Sequence, residues 1–238
     1  MPRRPSLTHR WLTAATWPVG IALTSWDYMW RTTVMRRQEL AERDAGPHQP
    51  APYPPAVDAS EVQSVDDGVG PLFHRRYSAR FNGAELGPEE LIETIKRDLN
   101  AAAPTTFARF QRVFGDGDTL RTGDEYVVRM PGPWDGPVRV IAETPRSFRL
   151  ATLDGHLEAG QIEFRADDDD RLRFTIESWA RSADHLSNLL YHKIGMAKEV
   201  QLHMWISFLE GAAKLAHGSI DDDGIEIDTR RVDAFDSA

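Results

Sequence analysis

The sequence predicts an α+β fold in which a curved antiparallel sheet wraps around one long C-terminal helix, with a separate amphipathic helix at the N-terminus. Two observations carry this prediction. Between residues 71 and 180, short runs of strand-forming residues alternate with turn signals, a pattern typical of an antiparallel meander. After residue 182, only the isolated Gly195 and Gly211 interrupt helical sequence before Gly218, which favours a long helix over residues 183–217.

The composition is that of a globular protein with a substantial core. Of 238 residues, 41% are hydrophobic and 27% are charged, which excludes a disordered, collagen-like or fibrous chain. The absence of cysteine excludes disulfides, thiol nucleophiles, iron–sulfur clusters and cysteine-ligated zinc. The net charge of -9 argues against nucleic acid as a partner, because neutralising phosphates requires a basic face.

Residues 1–43 differ from the rest of the chain in charge and in aromatic content. They hold seven arginines against three acidic residues, and their polar or small residues recur at helical spacing. The apolar run is too short to span a bilayer, but Arg and Trp together suit a helix lying in an anionic membrane surface. The candidate membrane-contact residues are Trp11, Trp17, Trp26 and Trp30.

Two alternatives for this segment stay open, namely a helix docked on its own domain and an export signal. No small-x-small cleavage site follows Ala22, and an arginine pair comes after it, which argues against export. We therefore expect a cytoplasmic protein, peripheral on the membrane if the helix binds lipid.

Two further segments stand apart from the predicted domain at residues 71–218. Residues 44–70 are rich in proline and small polar residues, which predicts a stiff linker. Residues 219–238 are acidic with few apolar residues, which predicts a solvated tail.

The elements of the domain follow one another in a simple order. A strand over Leu72 to Phe81 precedes a helix that starts at the Gly87-Pro88-Glu89-Glu90 segment, with proline in its first turn. Six further strands then form the meander: Phe107 to Phe114, Glu125 to Met130, Val138 to Glu143, Phe148 to Leu153, Gln161 to Ala166 and Arg171 to Trp179.

The last strand and the long helix carry the clearest periodicity. Leu172, Phe174 and Ile176 alternate with polar residues, which predicts one buried and one wet face. The helix has a polar stripe at three-four spacing and is apolar over most of its remaining circumference, so it must be gripped on several sides. The stripe consists of Glu199, His203, Ser207, Glu210, Lys214 and His217.

This order of elements resembles the helix-grip arrangement of the START and birch-pollen-allergen superfamily. Three segments carry a more specific resemblance: Gly132-Pro133-Trp134 followed by Pro137 to Val140, Ala151 to His156 with Gly160 and Phe164, and Trp179-Ala180-Arg181. Through these segments, residues 71–217 resemble the family called domain of unknown function 1990 within that superfamily. It implies a deep apolar cavity between the sheet and the final helix. Gln161 and Ile162 stand where the resemblance implies two acids.

A cavity of this kind predicts an apolar small molecule as the partner. The candidate contacts are Ser178, Trp179, Met204, Trp205 and Phe208. Side chains on the last strand shrink toward its end, which leaves room there. Filling of the core by the large side chains is the alternative.

Two polar sets are candidates for catalysis. His156 and Glu158 lie two positions apart in a predicted hairpin loop, as a general acid–base pair would. Glu125 and Arg129 lie on one face of a predicted strand, where they either hold a polar head group or form a surface ion pair. No metal or other cofactor is expected, because the chain lacks a phosphate-binding loop, a dinucleotide fingerprint and an H-E-x-x-H motif.

Three functions from different classes follow from these features. The first is a binder or carrier of an apolar small molecule, such as a lipid or polyketide-like compound. The second is an enzyme of cyclase or hydrolase type that uses the same cavity. The third is a membrane-surface adaptor whose core is filled by its own side chains.

Overall fold

The predicted runs of strands and turns form one large sheet. The computed structural model describes residues 33–40, 50–55, 57, 61–105, 108–129, 135–183 and 196–232. Its strands are β1 (Met35–Leu40), β2 (Val69–Asn82), β3 (Arg109–Phe114), β4 (Glu125–Arg129), β5 (Gly136–Thr144), β6 (Ser147–Thr152), β7 (Glu158–Asp169), β8 (Arg171–Ser182), β9 (Ser219–Ile220) and β10 (Ile225–Val232). The α-helices of this part of the chain are α1 (Pro88–Arg97) and α2 (Met196–Leu215).

The sheet is curved and almost wholly antiparallel, as the sequence predicts. Its strand order is β1-β10-β2-β8-β7-β6-β5-β4-β3, and β9 pairs separately with β2. Strands β3 to β8 follow one another as hairpins, while β1 lies parallel to β10. The α+β class and the meander are therefore confirmed.

Helix α1 begins where its local sequence directs. Pro88 lacks the amide hydrogen that a first turn leaves unsatisfied, and the carboxylate of Glu90 accepts a hydrogen bond from the Gly87 amide at 3.1 Å. Leu91, Ile92 and Ile95 are fully buried on one face of the helix. That face anchors α1 in the main core.

Helix α2 runs in the same direction as β2 across the sheet. Its Trp205 contacts Phe164 of β7, and near its end the Ala216 carbonyl accepts a hydrogen bond from the Glu85 amide just beyond β2. Gly211 lies against the chain after α1, because a Cβ atom there would fall 2.2 Å from the Ala102 carbonyl oxygen. The glycine thus permits a backbone contact that no other residue allows.

The boundaries of the long helix differ from the prediction at its start. Strand β8 continues to Ser182, and the Ala183 amide donates to the Leu157 carbonyl at 2.8 Å, so Ala183 is not helical. Residues 184–195 lie outside the described residues. The polar stripe is also wrong at His203, which is buried, because the helix is enclosed on more sides than the spacing suggested.

The predicted solvated tail at residues 219–238 is wrong for its first part. Strand β10 pairs with β2 along seven residues, and Ile225 and Ile227 are buried in the core. Acidic residues alternate with these isoleucines, so the period of two marks a strand with one wet face rather than a tail. Residues 233–238 lie outside the described residues.

The predicted helix over residues 1–43 is wrong where the structure describes it. Residues 35–40 form β1, which pairs with β10 and so extends the sheet. Residues 1–32 lie outside the described residues, and the four candidate tryptophans lie among them.

The predicted linker at residues 44–70 is wrong over its second half. Val62 forms a bridge with Leu153, and the Gln63 backbone bonds to Thr152 on β6 and to Gly160 on β7. A 3-10 turn over Val65–Asp67 follows, and β2 begins at Val69. Backbone hydrogen bonds therefore make residues 61–70 part of the domain.

Candidate ligand site

The two faces of the sheet have different surroundings, as β8 shows. Its Phe174 is fully buried and stacks on Phe208 of α2, with ring centroids 6.1 Å apart. Because side chains alternate along a strand, Ser178 and Ala180 share this face, which we call the inner face. Trp179 points to the opposite, outer face.

Aromatic rings fill the middle of the inner face. Phe164 stacks on Phe148 at 4.7 Å and contacts Trp205 edge-on at 5.6 Å, and it lies 5.1 Å from Phe208. Met204 is buried in the same cluster. The predicted ligand residues on α2 therefore pack on one another and on the sheet, and their contact with a ligand stays a prediction.

Polar side chains replace these rings toward the start of β2. Arg75 is only 3% exposed and lies directly opposite Ser178, which is 4% exposed. The Arg75 guanidinium lies over the Phe73 ring, 4.7 Å from its centroid. Its Nη1 atom is 3.9 Å from Oε1 of Glu158. A buried cation and a largely buried carboxylate thus share this end of the inner face.

Small residues on β8 and β7 lie beside the line from Arg75 to Glu158. Arg75 is on β2 and Glu158 is on β7, with β8 between the two strands. Ala180 and Gly160 lie opposite each other beside this route. Gly160 is required, because a Cβ atom there would fall 2.0 Å from the Trp179 carbonyl oxygen. Glycine at this position therefore permits the close approach of β7 to the backbone of β8.

Two buried hydrogen-bonding groups, one at this end and one among the aromatic rings, have no partner among the described residues. They are the Ser178 hydroxyl and the Trp205 indole nitrogen, Nε1. Leaving such a group unsatisfied costs about 1 to 3 kcal/mol. Native proteins satisfy nearly all buried polar groups, so two unsatisfied groups on one inner face call for an explanation.

His156 has a structural position in the turn between β6 and β7. Its Nδ1 atom accepts a hydrogen bond from the Glu158 amide at 2.9 Å. Its Nε2 atom lies against Gly136, 3.0 Å from where a Cβ atom would stand. Burial lowers the pKa of His156, although Glu158 acts in the opposite direction. A neutral ring that accepts at Nδ1 carries its proton at Nε2.

The structure does not bring the predicted Glu125 and Arg129 pair together. Glu125 is buried and accepts a 2.6 Å hydrogen bond from Arg139 on the neighbouring strand. Arg139 also reaches Glu61 at 3.3 Å, whereas Arg129 is exposed and pairs with Asp135. The prediction is wrong because register across strands, and not spacing along one strand, selected the partners.

Trp179 does not share a pocket with the residues of α2. It packs on the outer face with Leu72 and Val65 and stacks on His74 at 5.0 Å. His74 also bonds to Glu177, with Nε2 2.7 Å from Oε1. Burial raises the pKa of Glu177, but this bond and nearby positive charges outweigh burial and lower it. Trp179 therefore lies on the face opposite the other candidate residues, because its position on β8 decides its face, and its contact with a ligand stays a prediction.

Arg75 is the residue of this site that the sequence analysis missed. Phe73, Arg75, Tyr77, Ala79 and Phe81 occupy alternate positions of β2, and four of the five are aromatic or apolar. A period of two would have placed the arginine on the apolar face. The signal was therefore present in the strand already predicted.

The described residues hold neither a cluster of metal-binding side chains nor a membrane-spanning helix. Across the ranges that the structure describes, no group of three or more His, Asp or Glu side chains is placed to hold a metal ion. Within the same ranges, no helix has the length and apolarity to span a bilayer.

The fold and this site define an α+β protein with a curved antiparallel sheet, a long helix on its inner face and a polar end to that face. The chain belongs to the family described as domain of unknown function 1990, which matches residues 59–206. Strands β1 and β10 lie beyond that match. No curated protein matches the sequence.

Several solved structures are similar to part of the chain. Protein Ms6760 from Mycobacterium smegmatis is 18% identical over 66% of this chain and 97% of its own, with a TM-score of 0.39. Norcoclaurine synthase from Thalictrum flavum, in complex with dopamine and hydroxybenzaldehyde, is 10% identical over 66% and 92%, with a TM-score of 0.43. Ara h 8.0201 is 10% identical over 61% and 98%, also with a TM-score of 0.43.

Proposed function

We propose that this protein binds or carries a small, largely apolar molecule between the inner face of the sheet and α2. The observation that carries the proposal is the pair of buried, unsatisfied groups described above, the Ser178 hydroxyl and the Trp205 indole nitrogen. Trp205 lies among aromatic rings and Ser178 lies opposite the buried Arg75, and each can donate one hydrogen bond. A ligand with an apolar body and acceptor atoms would satisfy them.

The energetic argument favours binding over a filled core. A core without a ligand would retain the cost of both unsatisfied groups, about 1 to 3 kcal/mol each. A bound molecule would recover that cost and remove its own apolar surface from water, at about 25 cal/mol per Å². The aromatic rings of Phe164 and Phe208 would form the floor of such a site.

The catalytic alternative has less support from the geometry. The Arg75 and Glu158 side chains approach to 3.9 Å, which exceeds the reach of a hydrogen bond. His156 uses Nδ1 to hold the Glu158 amide, so that nitrogen is not available as a general base.

We also propose that residues 1–32 bring the domain to an anionic membrane surface. The support is their composition, since they carry four arginines, one acidic residue and four tryptophans. Arg36 and Arg37, which follow in the sequence on β1, are exposed, and Arg36 pairs with Asp223 at 3.1 Å.

A neutral apolar dye tests the binding function directly. Nile red should bind the full chain with enhanced fluorescence, and Ser178→Trp should reduce binding by filling the space beside Ser178. The matched control is Ser219→Trp on the exposed β9, which should bind the dye as the parent does. If the core is already filled, Ser178→Trp will instead lower stability by about 1 to 3 kcal/mol and leave dye uptake unchanged. That result would reject the proposal.

A further inference from the structure

We propose that residues 1–32 dock in an acidic groove beside the last turns of α2, with Arg31 paired to its carboxylates. The groove has a volume of about 560 Å³ and lies between α2, β9 and the turn that leads into β10. This inference goes beyond the ligand and membrane proposals and depends on neither of them. The same segment would exchange between this groove and a membrane surface.

The first argument is the place where residues 1–32 join the rest of the chain. Thr33 lines the groove, and its hydroxyl donates a 2.6 Å hydrogen bond to Oε1 of Glu210 on α2. Val34 packs so closely on Gly224 that a Cβ atom there would fall 2.2 Å from the Val34 carbonyl oxygen. The chain is therefore fixed to the wall of the groove at this point. Because consecutive Cα atoms are about 3.8 Å apart, the Cα atom of Arg31 lies within about 7.6 Å of that of Thr33.

The second argument is the charge of the groove. Among its described lining residues are three carboxylates, from Glu210, Asp221 and Asp222, and one cation, Lys214. Residues 1–32 carry four arginines and one acidic residue. Opposite net charges favour association of the segment with the groove. Their connection through Thr33 adds to this, because it raises the effective concentration of the segment at the groove.

Asp221 provides an acceptor that the described residues leave unsatisfied. Its side chain is 4% exposed, and its Oδ1 atom has no hydrogen-bond partner among those residues. The Nη1 atom of Arg171 is 3.9 Å from Oδ2 and donates instead to Oδ1 of Asn82 at 2.7 Å. A buried carboxylate is unfavourable without a close cation and hydrogen bonds. Asp221 lines the groove, so a guanidinium docked there would bring a second positive charge to it.

Apolar surface beside the carboxylates suits the tryptophans of the segment. Val34 is 55% exposed at the groove, and Ala213 and Ile220 line it as well. Trp26 and Trp30 are close to this point in the sequence. An indole buries a large apolar area and keeps an N–H group that can donate to a carboxylate. The groove thus offers both kinds of contact that the segment can make.

Distance measurement between two spin labels tests the docking in the full chain. The sequence has no cysteine, so labels can be attached at Thr24→Cys in the segment and at Glu93→Cys, an exposed position on α1. A docked segment gives one narrow distance distribution by double electron–electron resonance, whereas a segment that is only tethered gives a broad one. We expect the narrow distribution in the parent chain.

Removing charge from the groove should release the segment. Glu210→Gln combined with Asp222→Asn removes two charges, keeps a side-chain acceptor at position 210, and should reduce the narrow population by about half or more. Arg31→Gln, which leaves the described domain unaltered, should do the same, and so should added salt. The matched control is Asp116→Asn combined with Asp118→Asn, which removes two charges from an exposed loop and should leave the distribution unchanged.

The outcomes decide between docking and its alternatives. A broad distribution in the parent would overturn the inference, as would a narrow one that either Arg31→Gln or the groove variant broadens no more than the control does. A narrow distance that disappears on dilution with excess unlabelled chain would identify a second copy as the partner, and would overturn docking within one chain. A narrow distance that survives dilution and is broadened by both variants would support the inference. None of these outcomes depends on binding of vesicles or Nile red, so the test is separate from those of the proposed function.

Discussion

Ile227 of β10 lies directly opposite Tyr77 of β2, and both side chains are buried in the core that α2 covers. The chain therefore returns to the sheet after its long helix and adds a strand beside β2. This strand also provides the edge on which β1 pairs. Residues on both sides of the family match thus complete one hydrogen-bonded structure.

We predict that Ile227→Ala lowers the free energy of unfolding by about 2 to 5 kcal/mol, as for other buried isoleucines. Glu226→Ala on the exposed face of the same strand should change it by less than about 0.5 kcal/mol. Chemical denaturation of the full chain measures both values. Equal, small effects would mean that β10 contributes nothing to the core.

At Gly211, helix propensity and packing have opposite effects on the stability of an alanine variant. Alanine is favoured over glycine in a helix interior by about 1 kcal/mol. At this position, however, the added Cβ atom meets the Ala102 carbonyl oxygen at 2.2 Å. Gly211→Ala should therefore lower the melting temperature, while Lys214→Ala on the exposed side of α2 should leave it nearly unchanged. A gain in stability for Gly211→Ala would contradict the close contact.

The partly buried ring of His156 predicts a dependence of stability on pH. Because its pKa in the folded state is lower than the unfolded value of 6.5, protonation favours unfolding. The contribution of the neutral His156 ring to the free energy of unfolding is full above pH 6.5. It is lost as pH falls from there toward the lowered pKa of this residue. His156→Gln should reduce the slope of melting temperature against pH in this window. The exposed His217, changed to Asn, is the control and should leave the slope as it is.

These positions show which parts of the fold could be predicted from the sequence. Alternation on β8 correctly assigned Phe174 and Ile176 to the buried face, because the period of a strand is a local property. Strand β10 was not predicted, because its acidic residues were interpreted as the sign of a solvated tail. Ile225 and Ile227 nevertheless follow the same period of two.

The site was harder to predict because its contacts join distant parts of the chain. Glu125 pairs with Arg139 rather than Arg129 because strand register, which a single sequence does not specify, brings them together. Trp179 was selected for its residue type, whereas its position in β8 decides which face it occupies. Arg75 and Glu158 lie on strands that β8 separates. Their side chains approach each other across β8, which carries the small residues Ser178 and Ala180 there.

The membrane proposal predicts that the full chain floats with vesicles that contain anionic lipid, and less with neutral vesicles. Removing residues 1–32, which leaves β1 in place, should abolish the difference. Added salt should weaken binding, because it screens the attraction between arginine and the anionic surface. Equal flotation of the full and shortened chains would remove the membrane proposal without affecting the ligand site.

The pair of Glu177 and His74 predicts a second effect of pH, on the outer face. Glu177 accepts a 2.7 Å hydrogen bond from the His74 ring, and its pKa is lowered despite burial. Its contribution to stability is therefore present above pH 4.5 and is lost as pH falls through the lowered value. Hydrogen bonds to charged groups contribute about 1.5 to 3 kcal/mol, so Glu177→Gln should destabilise the domain at neutral pH by an amount in this range.

The difference between Glu177→Gln and the parent should shrink as the solution is acidified, because the parent carboxylate then becomes protonated and neutral like the amide. The matched control is Glu93→Gln, an exposed residue on α1, for which we expect no measurable difference at either pH. Nile red binding should be the same in the parent and both variants, since this pair lies on the face opposite the ligand site. Loss of dye binding in Glu177→Gln alone would show instead that the outer face determines the shape of the inner one.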